Sequence, residues 1–268
     1  MAHNFNDLSG KRIIVTGSSR GLGQCMAVAL ARAGASLILT ARDSHSCRET
    51  IELIRQYNPD TLALSLDVRS EESIIAFAAE VRGHFATVDV LVNNAGCNIR
   101  KVVPDVTWED WSTIVDTNLR GTFFVTKAVL PMLLKADYGR IINIGSVTSV
   151  FGYAGIVPYC ASRGGVLQMT RAMADEFGSR GITVNCLAPG WFETEQTKAL
   201  YKNAEWLAYL VDRIPVRRPG KPNDLDGAVV FLASAASEYY TGQIMLVDGG
   251  ISTGATRATV DKVASGRE

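Results

Sequence analysis

The chain has 268 residues, of which 47% are hydrophobic, with 24 glycines against 8 prolines; that is enough apolar mass to bury a large core. Lysine plus arginine equals aspartate plus glutamate at 27 each, so no overall field draws nucleic acid or an anionic membrane, and the expected partner is a small molecule. The five cysteines fall singly, without a C-x-x-C pair, and no apolar run approaches a signal-peptide core or membrane span; the expectation is a cytoplasmic protein with no disulfide framework and no metal site.

Short β-branched or leucine-rich runs lie at Arg12–Thr16, Leu37–Ala41, Thr61–Leu66, Val88–Val92, Arg140–Ile144, Thr183–Leu187 and Gln243–Val247. Segments of helical period separate them, at Leu22–Ala33, Ser46–Tyr57, Glu71–His84, Trp108–Lys135, Pro158–Ser179 and Asn223–Ala235. This alternation predicts a Rossmann-type α/β fold, a doubly wound parallel sheet of about seven strands with helices on both faces, built as one domain. Residues 190–221 break the rhythm with Trp191, Phe192, Tyr201, Trp206, Tyr209, Arg213, Arg217 and Arg218. They predict an insertion over a site, against an ordinary pair of surface helices. Residues 255–268, polar and glycine-containing, predict a loose tail.

Directly after the first strand stands Thr16-Gly17-Ser18-Ser19-Arg20-Gly21-Leu22-Gly23. Glycines at 17, 21 and 23 permit a tight turn, a close backbone approach to a pyrophosphate and close packing of helix on strand. The helix opening at Leu22 then aims its N-terminus at the phosphates. About twenty residues further on, where an acid would bind the ribose 2′-hydroxyl of NAD, the second strand ends Thr40-Ala41-Arg42-Asp43. A guanidinium at Arg42, joined by Arg20, suits a 2′-phosphate, so NADP(H) is expected in preference to NAD(H). Asp43 is the competing ribose ligand, and solvated surface charge is the plainer reading of both arginines.

Three further features follow strand ends: Asn93-Asn94-Ala95-Gly96, Ser146, and Tyr159-Cys160-Ala161-Ser162-Arg163 at the head of a helix. With the glycine loop, and with Ser146 thirteen residues before Tyr159, the chain resembles the short-chain dehydrogenase/reductase family from about Leu8 to Gly250. The motifs in order and at spacing carry this resemblance. It implies catalytic roles for Asn118, Ser146 and Tyr159, and for Arg163 where the family's Y-x-x-x-K pattern has lysine. It also implies cofactor contacts for Ser19 in the glycine loop, for Asp67 and Val68 after the third strand, for Asn94, Ala95 and Gly96, and for Tyr159 and Arg163. A P-G-x-x-x-T pattern at Pro189, Gly190 and Thr194 extends that set, and a homotetramer is implied.

The chemistry agrees with these side chains. Reducing a carbonyl needs a proton donor at oxygen, and a cation four residues from a tyrosine shares its helix face and stabilises a phenolate. A serine hydroxyl can meet the charge that builds on the substrate oxygen. Asn118, on the stripe of Trp111, Val115, Thr122 and Val125, is alternatively a satisfied buried amide. Arginine keeps the charge of lysine but is planar and does not titrate, so an intact cofactor site with weak or no catalysis is one reading of Arg163. His3, His45 and His84 suggest no triad or metal set, and Glu193 with Glu195 reads as solvated charge. Arg100, Lys101 and Trp191 are candidate substrate contacts, Arg100 or Lys101 pairing with a carboxylate. Segments 97–101 and 190–200 look most like sugar-acid dehydrogenases of that family, with a 3-oxoacyl-carrier-protein-type reductase as the alternative.

Overall fold

The computed structural model describes residues 5–58, 60–194 and 197–254. The strands β1 (Arg12–Val15), β2 (Ser36–Ala41), β3 (Thr61–Ser65), β4 (Val90–Asn93), β5 (Gly139–Ile144), β6 (Ile182–Pro189) and β7 (Ile244–Val247) form one sheet. Their order is β3-β2-β1-β4-β5-β6-β7, and every pairing is parallel. All seven predicted strands are present with slightly moved ends. The tail at 255–268, His3 and Glu195 lie outside the described residues.

The strands alternate strictly between two cores because successive side chains leave opposite faces of a pleated strand. Ile13 and Val15 of β1 and Leu37 and Leu39 of β2 pack with Met26, Leu30, Val229 and Leu232 on one face. Ile14 and Ile38 pack with Phe77, Val81, Val125, Val129 and Phe177 on the other. With β5 and β6 buried along their whole length, the strands read as apolar runs, as a sheet covered on both sides demands. Burying each of these large side chains contributes roughly 1.5–3 kcal/mol.

The helices among the described residues are α1 (Gly21–Arg32), α2 (Arg48–Arg55), α3 (Glu71–His84), α4 (Trp108–Val115), α5 (Gly121–Leu133), α6 (Val157–Phe177), α7 (Lys198–Tyr201), α8 (Ala204–Arg213) and α9 (Asp226–Ala233). Sequence chemistry sets their starts. Thr107 and Asp110 form a reciprocal capping box on α4, the Ser70 hydroxyl caps α3, Asn203 caps α8, and Pro158 lies in the first turn of α6. The predicted helices at Ser46–Tyr57 and Asn223–Ala235 instead begin as 3-10 turns at Ser44–Cys47 and Pro222–Leu225.

Trp108–Lys135 is not one regular helix. A π-helical turn at Asp116–Arg120 joins α4 to α5, and such turns concentrate at functional sites. The extra residue rotates everything after it, so the predicted stripe breaks: Thr122 and Val125 are buried, whereas Trp111 is 43% exposed. No helix among the described residues is long and apolar enough to cross a membrane.

Candidate active site

Because every strand runs the same way, the segments after β1, β4, β5 and β6 all leave one edge of the sheet. The chain reverses its order between β1 and β4, and the crevice at such a reversal is where open α/β sheets take ligands. The glycine loop and the Asn94–Cys97 loop meet there. The Thr16 hydroxyl accepts the N–H groups of Asn94 at 2.8 Å and Ala95 at 2.9 Å, while Asn94 Nδ2 donates to the carbonyls of Thr16 and Gly17.

Side chains are excluded from this junction. Gly17 has φ +62, and a Cβ on it would lie 2.9 Å from the Ala95 Cα; a Cβ on Gly23 would collide with the Gly17 carbonyl and Asn94 Nδ2. Gly21 differs, since a Cβ there would meet nothing within 4 Å. It opens α1, whose N-terminus has no side-chain cap and no acid in its first turn, unlike α3, α4 and α8. Unclaimed N–H groups at Gly21, Leu22 and Gly23, in a cradle free of side chains, fit a dinucleotide's pyrophosphate. Ser18 points the other way, its N–H and hydroxyl bonded to Thr40 and its carbonyl to Thr50; Ser19 beside it is partly exposed.

At the end of β2, Arg42 is exposed, as is Arg20 on the glycine loop, and neither side chain makes a hydrogen bond or ion pair among the described residues. The Asp43 carboxylate is already engaged, accepting the His45 N–H at 3.0 Å as the cap of a 3-10 turn. After β3, the Asp67 carboxylate accepts the Arg69 N–H at 2.9 Å. Val68 packs against Gly121, where a Cβ would lie 2.7 Å from the Val68 carbonyl.

Hydrogen bonds fix the segments that carry the predicted catalytic residues to one another. Asn118, in the π turn, is fully buried. Its Oδ1 accepts the Cys97 N–H at 2.8 Å; its Nδ2 donates to the Cys97 carbonyl at 2.9 Å and the Ser162 hydroxyl at 3.1 Å. Both amide donors are used, and the side chain clamps the loop after β4 to α6. Ser146 Oγ accepts the Thr148 N–H at 3.1 Å, which leaves its hydroxyl proton free to donate, and the Ser149 hydroxyl ties this turn to the Arg163 carbonyl at 2.9 Å. Tyr159 is half-buried, and its hydroxyl has no partner among the described residues.

Arg163 is 5% exposed. Its Nη1 donates to the Ile144 carbonyl at 2.7 Å, and its guanidinium carbon lies 5.0 Å from the centre of the Tyr159 ring. Gly96 is small because Arg163 Nη2 fills the space a Cβ would need. The Nε is buried without a partner, and Arg163 forms no ion pair among the described residues. Burial pushes the neighbouring Cys186 thiol up to about 12, although the Arg163 charge pulls it down.

Beyond β6, a Cβ on Gly190 would lie 2.7 Å from the Asp248 Cα, and the Thr194 hydroxyl lies 3.1 Å from that of Thr197; Pro189 closes the strand. The inserted stretch contains α7 and α8. Arg100 lies 5.7 Å from the Trp191 ring. The Lys101 ammonium donates to Asp110 at 2.6 Å and holds that carboxyl down at about 2. Tyr153, which packs on Trp191, was not signalled by any motif, and only packing brings it to the site; Thr16 and Ser162 stand inside the glycine-loop and tyrosine motifs, which did not specify the bonds their hydroxyls make.

A parallel sheet with this order, and a side-chain-free cradle at its reversal, defines a dinucleotide-binding α/β protein of Rossmann type. The family described as enoyl-(acyl carrier protein) reductase matches residues 17–252. Gluconate 5-dehydrogenase of Gluconobacter oxydans is 37% identical over 94% of this chain and 99% of its own length. A 3-oxoacyl-[acyl-carrier-protein] reductase of Vibrio cholerae is 41% identical over 91% and 98%. The crystal structure of a gluconate 5-dehydrogenase from Burkholderia cenocepacia in complex with NADP and tartrate superposes with a TM-score of 0.90 at 35% identity, covering 94% of this chain and 99% of that one. The chain belongs to the short-chain dehydrogenase/reductase family. It is an oxidoreductase whose relatives act on CH–OH groups.

Proposed function

We propose that this protein interconverts a secondary alcohol and a ketone on a sugar acid or polyol, in the manner of gluconate 5-dehydrogenase, and prefers NADP(H) to NAD(H). The observation that carries the chemistry is Tyr159, its hydroxyl unengaged and the Arg163 guanidinium against its ring. Gly17, Ser19, Gly21, Leu22 and Gly23 would hold a nicotinamide cofactor, which would supply or accept the hydride. Asp67, Val68, Asn94, Ala95 and Gly96, with Pro189, Gly190 and Thr194, line the rest of its path. Tyr159 gives its proton to the substrate oxygen during reduction and takes it back during oxidation. Ser146 donates a hydrogen bond to that oxygen as charge develops. Asn118 is a positioning residue, holding the loop after β4, and Arg163 supplies the fixed charge. Unpaired Arg20 and Arg42 beside an engaged Asp43 support recognition of a 2′-phosphate.

Two relatives act on gluconate or its 5-keto form, which supports the sugar-acid reading; the 41% identical 3-oxoacyl reductase supports the alternative. The same reading makes the chain one nicotinamide-binding domain of the cytoplasm. It assembles as a homotetramer that covers the exposed Trp108, Phe123 and Phe124 of α4 and α5. Cofactor turnover across sugar acids, polyols and acetoacetyl thioesters, with NADP(H) and NAD(H), tests the reading. Gluconate-type substrates with NADP(H) are expected to give the highest kcat/KM, and Arg42→Asp is expected to weaken NADP(H) binding by about 10–100-fold, the equivalent of a lost charge-assisted pair. Faster reduction of acetoacetyl thioesters, or tighter NAD(H) binding by the unaltered protein, would overturn it.

A further inference from the structure

Four aromatic side chains from three segments meet beyond the end of β6. Trp191 lies edge-on to Tyr153, with centroids 5.1 Å apart, and to Trp206 at 5.4 Å; Trp206 of α8 stacks on Tyr209 at 5.6 Å. Tyr153 stands in the segment that leads into α6, and the Cys160 thiol, next to Tyr159 in sequence, lies 3.8 Å from its carbonyl. The Lys101 N–H donates to the Gly155 carbonyl at 3.0 Å, which holds the neighbouring Arg100 to the same segment.

Two guanidiniums attend this cluster. Arg100 lies 5.7 Å from the Trp191 ring and Arg213 lies 5.6 Å from the Tyr209 ring. Neither makes a hydrogen bond or ion pair among the described residues. Other cations of this edge are neutralised: Lys101 pairs with Asp110, and Arg218 pairs with Asp224 through both of its terminal nitrogens. Burial raises the pKa of Tyr153, and both Arg100 and Arg213 oppose that rise, so the two charges reach the same phenol from different elements. The indole Nε1 of Trp206 is buried and has no acceptor among the described residues. Two guanidiniums with no acid partner among the described residues and an unused indole donor, set around one aromatic wall, are complementary to an anion.

We propose that Arg100, Arg213 and the Trp206 Nε1–H form a carboxylate clamp on the substrate loop, with Tyr153 and Trp191 as the wall against which the substrate's carbon chain lies. The clamp deepens the sugar-acid reading above and rests on it. It makes this protein select acids over neutral polyols of the same length, and it assigns that choice partly to α8. The exposed Glu193, which faces Tyr201 on the same loop, forms no ion pair with Arg100.

Binding can be separated from turnover. With NADP+ present, tryptophan fluorescence is titrated with gluconate and with sorbitol, its neutral counterpart, in the unaltered protein and in Arg100→Gln, Arg213→Gln and Arg213→Lys. Saturable quenching by gluconate and not by sorbitol is expected, with Kd for gluconate rising about tenfold or more in each Gln variant and partly recovering in Arg213→Lys. KM for any sugar acid that is turned over should rise by a similar factor, with kcat changing less. If gluconate binds in this charge-dependent way but no sugar acid is turned over, the clamp stands and the proposed reaction falls. Equal binding of gluconate and sorbitol, or unchanged gluconate affinity in both Gln variants with the thermal transition intact, would overturn the clamp.

Discussion

At the scale of single residues, Arg163 is where the proposed chemistry is most exposed to test. A lysine would present a compact ammonium on a flexible stem; the arginine instead spends one nitrogen on the Ile144 carbonyl and holds its guanidinium carbon 5.0 Å from the centre of the Tyr159 ring. Its charge is therefore held by the end of β5 as well as by α6. Removing it strands a buried carbonyl, a cost of about 1–3 kcal/mol in stability, and takes away the cation beside the tyrosine. Arg163→Met is expected to lower both the thermal transition and kcat, the latter by about tenfold or more; Arg163→Lys should keep kcat within about tenfold of the unaltered protein. Steady-state kinetics beside thermal melts check this, and full kcat in Arg163→Met would show that the charge has no part in turnover.

At the scale of elements, the glycine loop joins fold to function. Gly17 adopts a left-handed conformation against Ala95, so alanine there carries both backbone strain and a collision with the loop after β4. Gly17→Ala should weaken cofactor binding by about tenfold or more while the sheet survives, because the strain falls on the junction of two loops and not on the core. Cofactor titration alongside circular dichroism measures it; unchanged affinity would remove the loop from the cofactor's path. This loop was legible in the sequence because its chemistry is local: glycines at fixed spacing between an apolar strand and an apolar helix. The spacing of Ser146 and Tyr159 was legible for the same reason. The π turn was not, since a regular 3.6-residue period cannot announce an extra residue, and Trp111 was misplaced on the buried stripe as a result. The pairing of Lys101 with Asp110, a residue of the α4 capping box, was not legible either. The meeting of Arg100, Tyr153, Trp206 and Arg213 is a product of tertiary packing, which no spacing along the chain encodes.

At the scale of the whole molecule, a parallel sheet gathers on one edge residues that lie far apart in sequence. Asn118 reaches Cys97 and Ser162, Ser149 reaches Arg163, and Arg163 reaches the last carbonyl of β5, so three connections are locked around Tyr159 before any substrate arrives. Such preorganisation is what positions a proton donor at low cost in the transition state. The proposed chemistry stands on Tyr159 transferring the proton in an NADP(H)-dependent reaction. The most direct test is kcat of Tyr159→Phe on the best substrate found, measured with NADP(H) affinity on the same preparation. The substitution removes a single oxygen that bonds to nothing in the described structure, so cofactor affinity should stay within about twofold while kcat falls by about 100-fold or more. A variant that keeps most of its kcat would contradict the account.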